Sequence, residues 1–289
     1  MATDNDPRPR SRLLVDAQDL ERRLGDGNWA VVDCRFSLAD TGWGEAEYRR
    51  GHIPGAVYAH LDRDLSGPVR PGFTGRHPLP EAEVMAATLG SWGVGDGVGV
   101  VAYDDMGGAI AARLWWLLRW LGHDGAALLD GGWPAWVAAG GAMTSGSEVR
   151  PPRIFSPRPR PELLVHAAQV TAACASPDQA VFDSRSAERY RGENETTDPV
   201  PGHIPGAESA PYQDNLAPDG RLLPVAEVRR RFEALLGERK PEEAVFYCGS
   251  GVTAALNVFA LALAGLGDSR LYAGSWSEWI TDPARPVAV

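Results

Sequence analysis

A six-residue sequence that occurs twice constrains the architecture of this chain more than any other feature. Gly-His-Ile-Pro-Gly-Ala stands at residues 51–56 and again, unchanged, at residues 202–207. Other segments repeat at a similar spacing: residues 31–35 are echoed at 181–185, and the tryptophan-containing residues 129–136 resemble 271–279. Self-similarity at a long, nearly fixed spacing indicates duplicated structural units. A chain of 289 residues is long enough to hold two of them.

A proline-rich segment separates the two copies. Residues 150–161 alternate prolines with arginines and a few other side chains. Proline fixes φ and has no N–H group, so such a run favours extended chain over helix or interior strand. We therefore predict an N-terminal domain of residues 1–145, a linker of residues 146–162 and a C-terminal domain of residues 163–289.

Short apolar segments alternate with helix-length segments in each copy. Residues 98–102 and 181–183 have the composition of buried strands, whereas residues 110–121 and 225–236 have the length and pattern of helices. This alternation predicts an α/β fold in each domain, with a parallel sheet flanked by helices. Ligands of such sheets bind at the carboxyl ends of the strands.

Composition limits which classes of partner the protein binds and which cellular compartment it occupies. The formal net charge of −10 disfavours nucleic acid as a partner. No apolar run is long enough to span a membrane, and the polar residues 1–12 lack the apolar core of a signal peptide. Three scattered cysteines suit a reducing compartment better than a disulfide framework. We expect a cytoplasmic protein with neither a nucleic-acid nor a membrane partner.

Signatures of a cofactor or metal are missing from the sequence. There is no glycine-rich nucleotide loop followed by Lys-Ser or Lys-Thr, and the six histidines show no metal-ligand spacing. We therefore expect no cofactor and no metal. His52 and His203, in the repeated six-residue sequence, are expected to hold loop backbone rather than to act as bases.

The strongest chemical signal is a lone thiol in residues 246–255, Phe-Tyr-Cys-Gly-Ser-Gly-Val-Thr-Ala-Ala. It lies between an apolar strand-like run and an apolar helix-like run. The glycines let the chain curl around one atom, and the N–H groups and dipole at the helix N-terminus stabilise an anion there. Cys248 is therefore the candidate nucleophile, whereas Cys34 and Cys174 are expected to be structural.

Cysteine-based phosphatases also bind an anion in a loop of this kind. They place an arginine six residues after the cysteine to bind phosphate, and here that position is Ala254. Residues 249–255 contain no cation at all. A dianionic phosphate is poorly served by this loop, whereas a persulfide with one negative charge is matched by backbone dipoles.

Alignment of the two copies shows that the first has lost this thiol. Asp104 stands where the second copy has Cys248. A carboxylate cannot store sulfane sulfur, so only the C-terminal domain is expected to be catalytic. The N-terminal domain is expected to be non-catalytic and to shape the cleft.

Together these features resemble the tandem-domain rhodanese family of sulfurtransferases over nearly the whole chain. The paired segments at 51–56 and 202–207, Asp104 in place of a cysteine and the late tryptophan motifs follow the family pattern. The loop at residues 248–253 resembles that of 3-mercaptopyruvate sulfurtransferases, since thiosulfate-preferring relatives usually carry cations directly after the cysteine.

This resemblance implies a reaction in two steps. Cys248 would take sulfur from a small-molecule donor, 3-mercaptopyruvate, release pyruvate and carry the sulfur as a persulfide. A thiol acceptor, such as thioredoxin or a small dithiol, or cyanide would then remove it. Two alternatives stay open: thiosulfate as the donor with the same persulfide mechanism, and a non-catalytic rhodanese-like binding or sulfur-carrier module.

The resemblance also implies partners for the nucleophile. Ser250 with His77 and Asp62 resembles a Ser-His-Asp set that polarises the substrate in the mercaptopyruvate group. Two of the three come from the first domain, which would place the site at the domain interface. Thr253 is expected to cap the helix or to line the loop with its hydroxyl. The substrate-binding loop is completed by Gly249, Gly251, Val252 and Thr253.

Two arginines are given roles by the same comparison. Arg189 matches the family arginine that binds the donor carboxylate, for which a guanidinium fork is well suited. Arg185 is expected to pair with Asp183 as a structural bridge. The family's second carboxylate-binding arginine lies nine residues beyond the first, where this chain has Asp198. The donor site therefore lacks a cation unless another residue supplies it.

Replacing the nucleophile provides the first test. We expect Cys248→Ser to abolish sulfur transfer and to leave the fold intact, because a hydroxyl is nearly isosteric with a thiol but cannot carry sulfane sulfur. Transfer assays and circular dichroism of the variant measure the two effects. Retained transfer would place the nucleophile elsewhere.

Overall fold

Two five-stranded sheets with identical strand order are the framework of the computed structural model, which describes residues 13–289. The polar segment 1–12 lies outside the described residues. The strand orders are β1-β5-β4-β2-β3 and β6-β10-β9-β7-β8, and every neighbouring pair is parallel. The duplication is thus confirmed at the level of topology. The strands are β1 Leu14–Val15, β2 Trp29–Asp33, β3 Ala56–Tyr58, β4 Gly99–Tyr103, β5 Ala126–Leu129, β6 Leu164–Val165, β7 Ala180–Asp183, β8 Glu208–Ser209, β9 Ala244–Tyr247 and β10 Arg270–Tyr272.

Helices follow most of the strands, which confirms the predicted α/β class. The helical patterns predicted at residues 110–121 and 225–236 are the helices α4 and α8, with ends that differ by one residue or less. Within residues 13–289, no helix is long and apolar enough to cross a membrane. The helices are α1 Ala17–Glu21, α2 Trp43–Arg50, α3 Ala82–Ser91, α4 Ala111–Trp120, α5 Gly132–Ala138, α6 Ala167–Cys174, α7 Ala187–Tyr190, α8 Val225–Leu236, α9 Ala254–Leu263 and α10 Ser275–Trp279.

Both faces of each sheet are buried, as expected for parallel sheets covered by helices. Successive side chains of a strand point to opposite faces, so Val100 and Val101 of β4 enter different apolar clusters. The cluster that contains Val100 continues into the second sheet. Trp115 of α4 packs edge-on against Phe259 of α9, with ring centroids 5.0 Å apart. The boundary between the two sheets is therefore a packed core, which fixes their relative position.

The proline-rich segment is extended along the first half, as predicted. Residues 147–160 form neither helix nor strand. The N–H of Arg153 donates to the carbonyl of Gly90 at 2.9 Å, and the N–H of Arg158 donates to the carbonyl of Leu121 at 2.8 Å. These bonds tie the segment to the end of α3 and to the end of α4.

The repeated histidines hold backbone, which confirms their predicted role. His52 stacks on Tyr48 with ring centroids 4.0 Å apart, and its Nδ1 lies 2.7 Å from the Tyr48 carbonyl oxygen. His203 stacks on Tyr190 in the same way, with its Nδ1 2.7 Å from the Tyr190 carbonyl. In each copy this contact ties the repeated segment to the helix before it, α2 or α7.

Candidate active site

Cys248 follows the last residue of β9 and is buried at the carboxyl edge of the second sheet. The segment before and within α10 holds its backbone in place. The N–H of Cys248 donates to the hydroxyl of Ser275 at 3.1 Å, and its carbonyl accepts from the N–H of Trp276 at 3.0 Å. Gly251 has φ +74°, and a Cβ there would lie 2.2 Å from the carbonyl oxygen of Ala273. Only glycine fits at this turn.

The first copy shows what a loop of this shape binds. One carboxylate oxygen of Asp104 accepts the N–H groups of Met106 and Gly108, both at 2.8 Å. The other accepts the N–H groups of Ile110 and Ala111 at 2.7 and 2.8 Å. Four main-chain donors thus converge on one buried negative charge.

The loop around Cys248 has the same turn. Gly107 of the first copy has φ +68° at the position aligned with Gly251. By this alignment, Ser250, Val252 and Ala254 occupy the positions of three residues that donate to Asp104. Because peptide N–H groups stabilise an anion at such a point, the second loop is arranged for an anionic sulfur.

Thr253 departs from the sequence prediction. It stands at the N-cap position of α9, but its side chain accepts no hydrogen bond from the helix, so capping by the hydroxyl is wrong here. The backbone of Thr253 is already helical, with φ −70° and ψ −22°. The first turn is closed by carbonyls instead, since the Val252 carbonyl accepts from Ala255 and the Thr253 carbonyl accepts from Leu256, each at 3.1 Å.

Three side chains from two domains lie in a row near Cys248, and two of them share a hydrogen bond. Ser250 Oγ lies 2.7 Å from Nδ1 of His77, and Nε2 of His77 lies 3.1 Å from a carboxylate oxygen of Asp62. Ser250 and His77 are buried, whereas Asp62 is exposed. The structure therefore brings together the three residues that the family resemblance named.

Burial determines whether the His77 imidazole is charged. Desolvation, followed by the nearby guanidinium groups of Arg113 and Arg76, lowers the pKa of His77 to about 3. The imidazole is therefore neutral at pH 7. The Asp62 carboxylate can only accept, so the hydrogen of the imidazole is placed on Nε2. Nδ1 is then an acceptor, and the Ser250 hydroxyl donates to it.

Two arginines from different domains lie over the loop. Arg189 donates from Nη2 to Asp198 at 2.8 Å and from Nε to Glu195 at 2.8 Å. Arg76 of the first domain pairs with the other carboxylate oxygen of Asp198. A Cβ on Gly249 would lie 2.9 Å from Nη2 of Arg76 and 3.6 Å from both terminal nitrogens of Arg189. The second guanidinium at the site thus comes from the other domain.

Asp198 holds Arg76 and Arg189 together. It stands at the position where the family pattern has its second arginine. Its side chain is buried, and its two oxygens hold the two guanidinium groups side by side. Nε of Arg76 is buried and has no hydrogen-bond partner in the described part of the chain. Sequence reasoning missed Arg76, although it directly precedes His77.

Arg185 is structural, as predicted. It bonds to Asp183 at 2.6 Å and to the Gly202 carbonyl at 2.6 Å, and its guanidinium lies 4.9 Å from the ring of Trp276. The first copy has the same arrangement, in which Arg35 bonds to Asp33 at 2.6 Å. A contact present in both copies belongs to the fold and not to the chemistry of one site.

Arg113 is a second site residue that sequence reasoning missed. It lies in the first turn of α4, is fully buried, and donates to the carbonyls of Gly251 at 3.0 Å and His77 at 3.1 Å. Burial lowers the pKa of Arg113 to about 10, so the guanidinium stays protonated at neutral pH. Arg113 lies within an apolar helix, and nothing in the neighbouring sequence indicates that its side chain reaches the active site.

These contacts define what the site can do. A buried thiol lies in an anion-binding loop, beside a neutral proton relay and two guanidinium groups that suit a carboxylate. Within residues 13–289 there is no group of three or more His, Cys, Asp or Glu side chains able to hold a metal ion. The arrangement suits nucleophilic attack by a thiolate on a small anionic molecule.

Comparison with known proteins agrees with this assignment. The model of the Rhodanese-like domain family matches residues 16–139 and 166–282. A Pseudomonas aeruginosa protein named a probable 3-mercaptopyruvate sulfurtransferase is 54% identical over 279 residues, which cover 96% of this chain and 98% of that protein. SseB of Mycobacterium tuberculosis, provisionally named a thiosulfate sulfurtransferase, is 39% identical over 290 residues, 96% of this chain and 97% of SseB.

A solved structure extends the likeness to three dimensions. The 3-mercaptopyruvate sulfurtransferase from Leishmania major superposes with a TM-score of 0.81 at 33% identity. The match covers 95% of this chain and 75% of that one. Both domains and the boundary between them therefore fall within the shared fold.

Asp105, next to Asp104, is expected to make the stability of the protein depend on pH. Burial, and then the charge of Asp104, raise the pKa of Asp105 to about 6 in the folded protein. A raised pKa means that the protonated group contributes stability at low pH and that this contribution is lost as pH rises through 6. We expect Asp105→Asn to remove this loss and to increase the free energy of unfolding at pH 8 by about 1–2 kcal/mol, after allowance for partial exposure. Urea unfolding of both proteins at pH 5 and pH 8 measures it.

Asp104→Asn is the matched contrast. Its amide nitrogen would face two N–H donors, and we expect a loss of about 2–4 kcal/mol in the same unfolding experiment. An Asp105→Asn protein less stable than wild type at pH 8, or an Asp104→Asn protein as stable as wild type, would contradict this view of the loop.

Proposed function

Because the chain belongs to the rhodanese family and is a sulfurtransferase, we propose that it moves sulfane sulfur from 3-mercaptopyruvate through a persulfide on Cys248 to a thiol acceptor or cyanide, releasing pyruvate. One observation carries the choice of donor. It is the series of side chains Asp62, His77 and Ser250, in which His77 lies 3.1 Å from Asp62 and hydrogen-bonds to Ser250, two residues from Cys248. A 2-oxo acid thiol needs proton movement during transfer, and thiosulfate does not.

In the first step the Cys248 thiolate attacks the donor sulfur. A bond forms between the two sulfurs, and the bond between the donor sulfur and C3 breaks, with its electron pair passing to carbon. Stabilisation by the 2-oxo group makes the leaving carbanion an enolate of pyruvate. The loop N–H groups, matched by those that hold Asp104, stabilise first the thiolate and then the persulfide anion.

The relay moves the proton that this step requires. Since the Ser250 hydroxyl donates to His77, its lone pairs are free to accept the S–H proton of the donor while its own proton passes to Nδ1. Because burial disfavours a charged imidazole, the proton stays on His77 only between the two transfers, while the Asp62 carboxylate lies 3.1 Å from Nε2. Return of the proton through Ser250 to the enolate carbon gives pyruvate. The proton lost from the donor thiol is thus the one gained by the methyl group of pyruvate.

Charge at the donor site favours a monoanion. Arg76 and Arg189 bring two positive charges, which Asp198 and Glu195 balance. The guanidinium edges near Gly249 can bind one carboxylate, whereas a dianion would enter the cleft without full compensation and at a large desolvation cost. This supports 3-mercaptopyruvate over thiosulfate.

Thiosulfate remains the second candidate because of one feature. Arg76 restores the guanidinium that Asp198 displaces, so two forks face the loop. If both turn toward the ligand, they can bind two sulfonate oxygens of a thiosulfate dianion. The persulfide chemistry at Cys248 would be the same, with sulfite leaving.

The second step needs an external acceptor. None of the three cysteines is in a disulfide; Cys34 follows β2 of the first domain, and Cys174 is the last residue of α6. Cys248 is only 2% exposed, so an acceptor thiol has to reach into the cleft. We propose thioredoxin, a small dithiol or cyanide in this role, in a reducing compartment such as the cytoplasm.

Intact mass tests the proposal. The purified protein is exposed to 3-mercaptopyruvate and to thiosulfate separately, and we expect a gain of one sulfur atom from the first. Cys248→Ser is the negative control, and Cys34→Ser is the matched one, because the second copy has Ser184 at that position. A gain from thiosulfate alone would change the donor, and no gain from either would favour the binding module.

The two guanidinium groups provide a separate test. We expect Arg76→Ala and Arg189→Ala each to raise KM for 3-mercaptopyruvate by about 10- to 100-fold, because each removes a charge-assisted hydrogen bond worth about 1.5–3 kcal/mol. Arg70→Ala is the control, since Arg70 is exposed on the same loop and only its main chain bonds to Thr74. Unchanged kinetics of Arg76→Ala would remove this residue from the donor site.

A further inference from the structure

Arg113 belongs to the domain that lacks the nucleophile, yet its guanidinium reaches the loop of the other domain. Nη1 donates to the carbonyl of Gly251 at 3.0 Å, and Nη2 donates to the carbonyl of His77 at 3.1 Å. Longer bonds of 3.4 Å run to the carbonyls of Leu65 and Pro78. A single side chain thus joins the turn of the Cys248 loop to the segment that carries the relay histidine.

This contact has no counterpart in the other copy. The residue aligned with Arg113 is Asn257 of α9, which is also fully buried. Its amide stays within its own domain and donates to Ser184 Oγ and the Ala210 carbonyl, both at 2.8 Å. The symmetry of the duplication is broken at this position, in the helices that follow the two loops where Asp104 and Cys248 differ.

The charge of Arg113 is not neutralised by a carboxylate. Among residues 13–289, its guanidinium bonds only to main-chain carbonyls, and no Asp or Glu lies within ion-pair distance. A buried cation without an anionic partner is costly to desolvate. A Cys248 thiolate would interact favourably with this charge.

We propose that Arg113 is a positioning residue of the sulfur-transfer site, which joins the Cys248 loop to the His77 segment across the domain boundary and places a buried positive charge beside that loop. The proposal rests on Cys248 being the nucleophile. Gly251 has φ +74°, so its carbonyl orientation is special to this turn, and Arg113 holds that orientation. Loss of Arg113 would loosen the N–H groups that bind the anion and would remove a charge at the same time.

Other groups also face Cys248, and the test has to keep them unchanged. Tyr212 interacts electrostatically with both Cys248 and Asp104, and burial raises the pKa of its phenol. Other charged or titratable groups on the elements around the loop include Arg76, His77, Arg189, Asp198, Asp62, Glu195 and, on α10, Glu278. Each of them is present in all variants below.

The chain offers a matched control on the same helix. Arg119 is also buried on α4 and also bonds across the domain boundary, with its Nε donating to Asp268 at 2.9 Å. It lies at the opposite end of the helix and contacts no residue of the site. Arg119→Met therefore removes an interdomain cation of the same type without touching the Cys248 loop.

The experiment measures alkylation of Cys248 by iodoacetamide against pH, and single-turnover persulfide formation with 3-mercaptopyruvate at pH 7. For Arg113→Met we expect the pH midpoint of alkylation to rise by about 1 unit or more and persulfide formation to slow by at least about tenfold. Arg113→Lys keeps the charge but cannot fork to several carbonyls, so we expect a midpoint near that of wild type with persulfide formation still slowed. Arg119→Met should lose stability in urea and show neither change.

Each outcome decides the proposal. An unchanged midpoint and rate in folded Arg113→Met would overturn it, as would equal changes in Arg119→Met. If Arg113→Met does not fold, Arg113→Lys provides the test, and wild-type persulfide formation in that variant would overturn the positioning role. Alkylation needs no sulfur donor, so it still reports on Arg113 if 3-mercaptopyruvate fails to load the wild-type protein.

Discussion

The rest of the structure depends on one constraint: main-chain N–H groups converge on a single point in the loop after β4 and in the loop after β9. In both copies the chain turns through a glycine with positive φ after β4 or β9, and the donors that follow need a negative charge. The first copy provides it covalently through Asp104. In the second copy that position holds Cys248, which becomes an anion only as a thiolate or persulfide. One loop is permanently filled, and the other is chemically active.

This difference explains why the two halves remain joined by a packed core. The active loop lacks cations of its own, and its charged surroundings come from elsewhere in the chain: Arg76 and Arg113 from the first domain, and Arg189 from the second. Contacts such as Trp115 on Phe259 hold these groups at fixed positions. A site at such a boundary stays aligned only if the boundary is as rigid as a domain core. The non-catalytic copy therefore contributes to the site by position and by charge.

Comparison of prediction and structure shows where sequence reasoning failed. Arg185 was predicted correctly because its partner Asp183 is two residues away on the same strand end. Thr253 was wrong in detail because hydroxyl capping requires an extended N-cap backbone, and the tight glycine turn leaves this residue helical. In the sequence, Asp198 indicated that the donor site lacks a cation, since it is a carboxylate where relatives have an arginine. Its actual effect depends on Arg76, which is far away along the chain.

The duplication, the α/β alternation and the candidate nucleophile were found from the sequence alone, because each is a pattern among residues close together within one copy of the repeat. Hydrophobic period, turn glycines and a thiol before a helix act within a few residues of one another. The resemblance to a family named His77, but its distances to Ser250 and Asp62, the position of the Arg76 guanidinium and the interdomain contacts of Arg113 were decided only by tertiary structure. They depend on how two sheets pack, and contacts between residues separated by more than a hundred positions leave no periodic signal in the sequence.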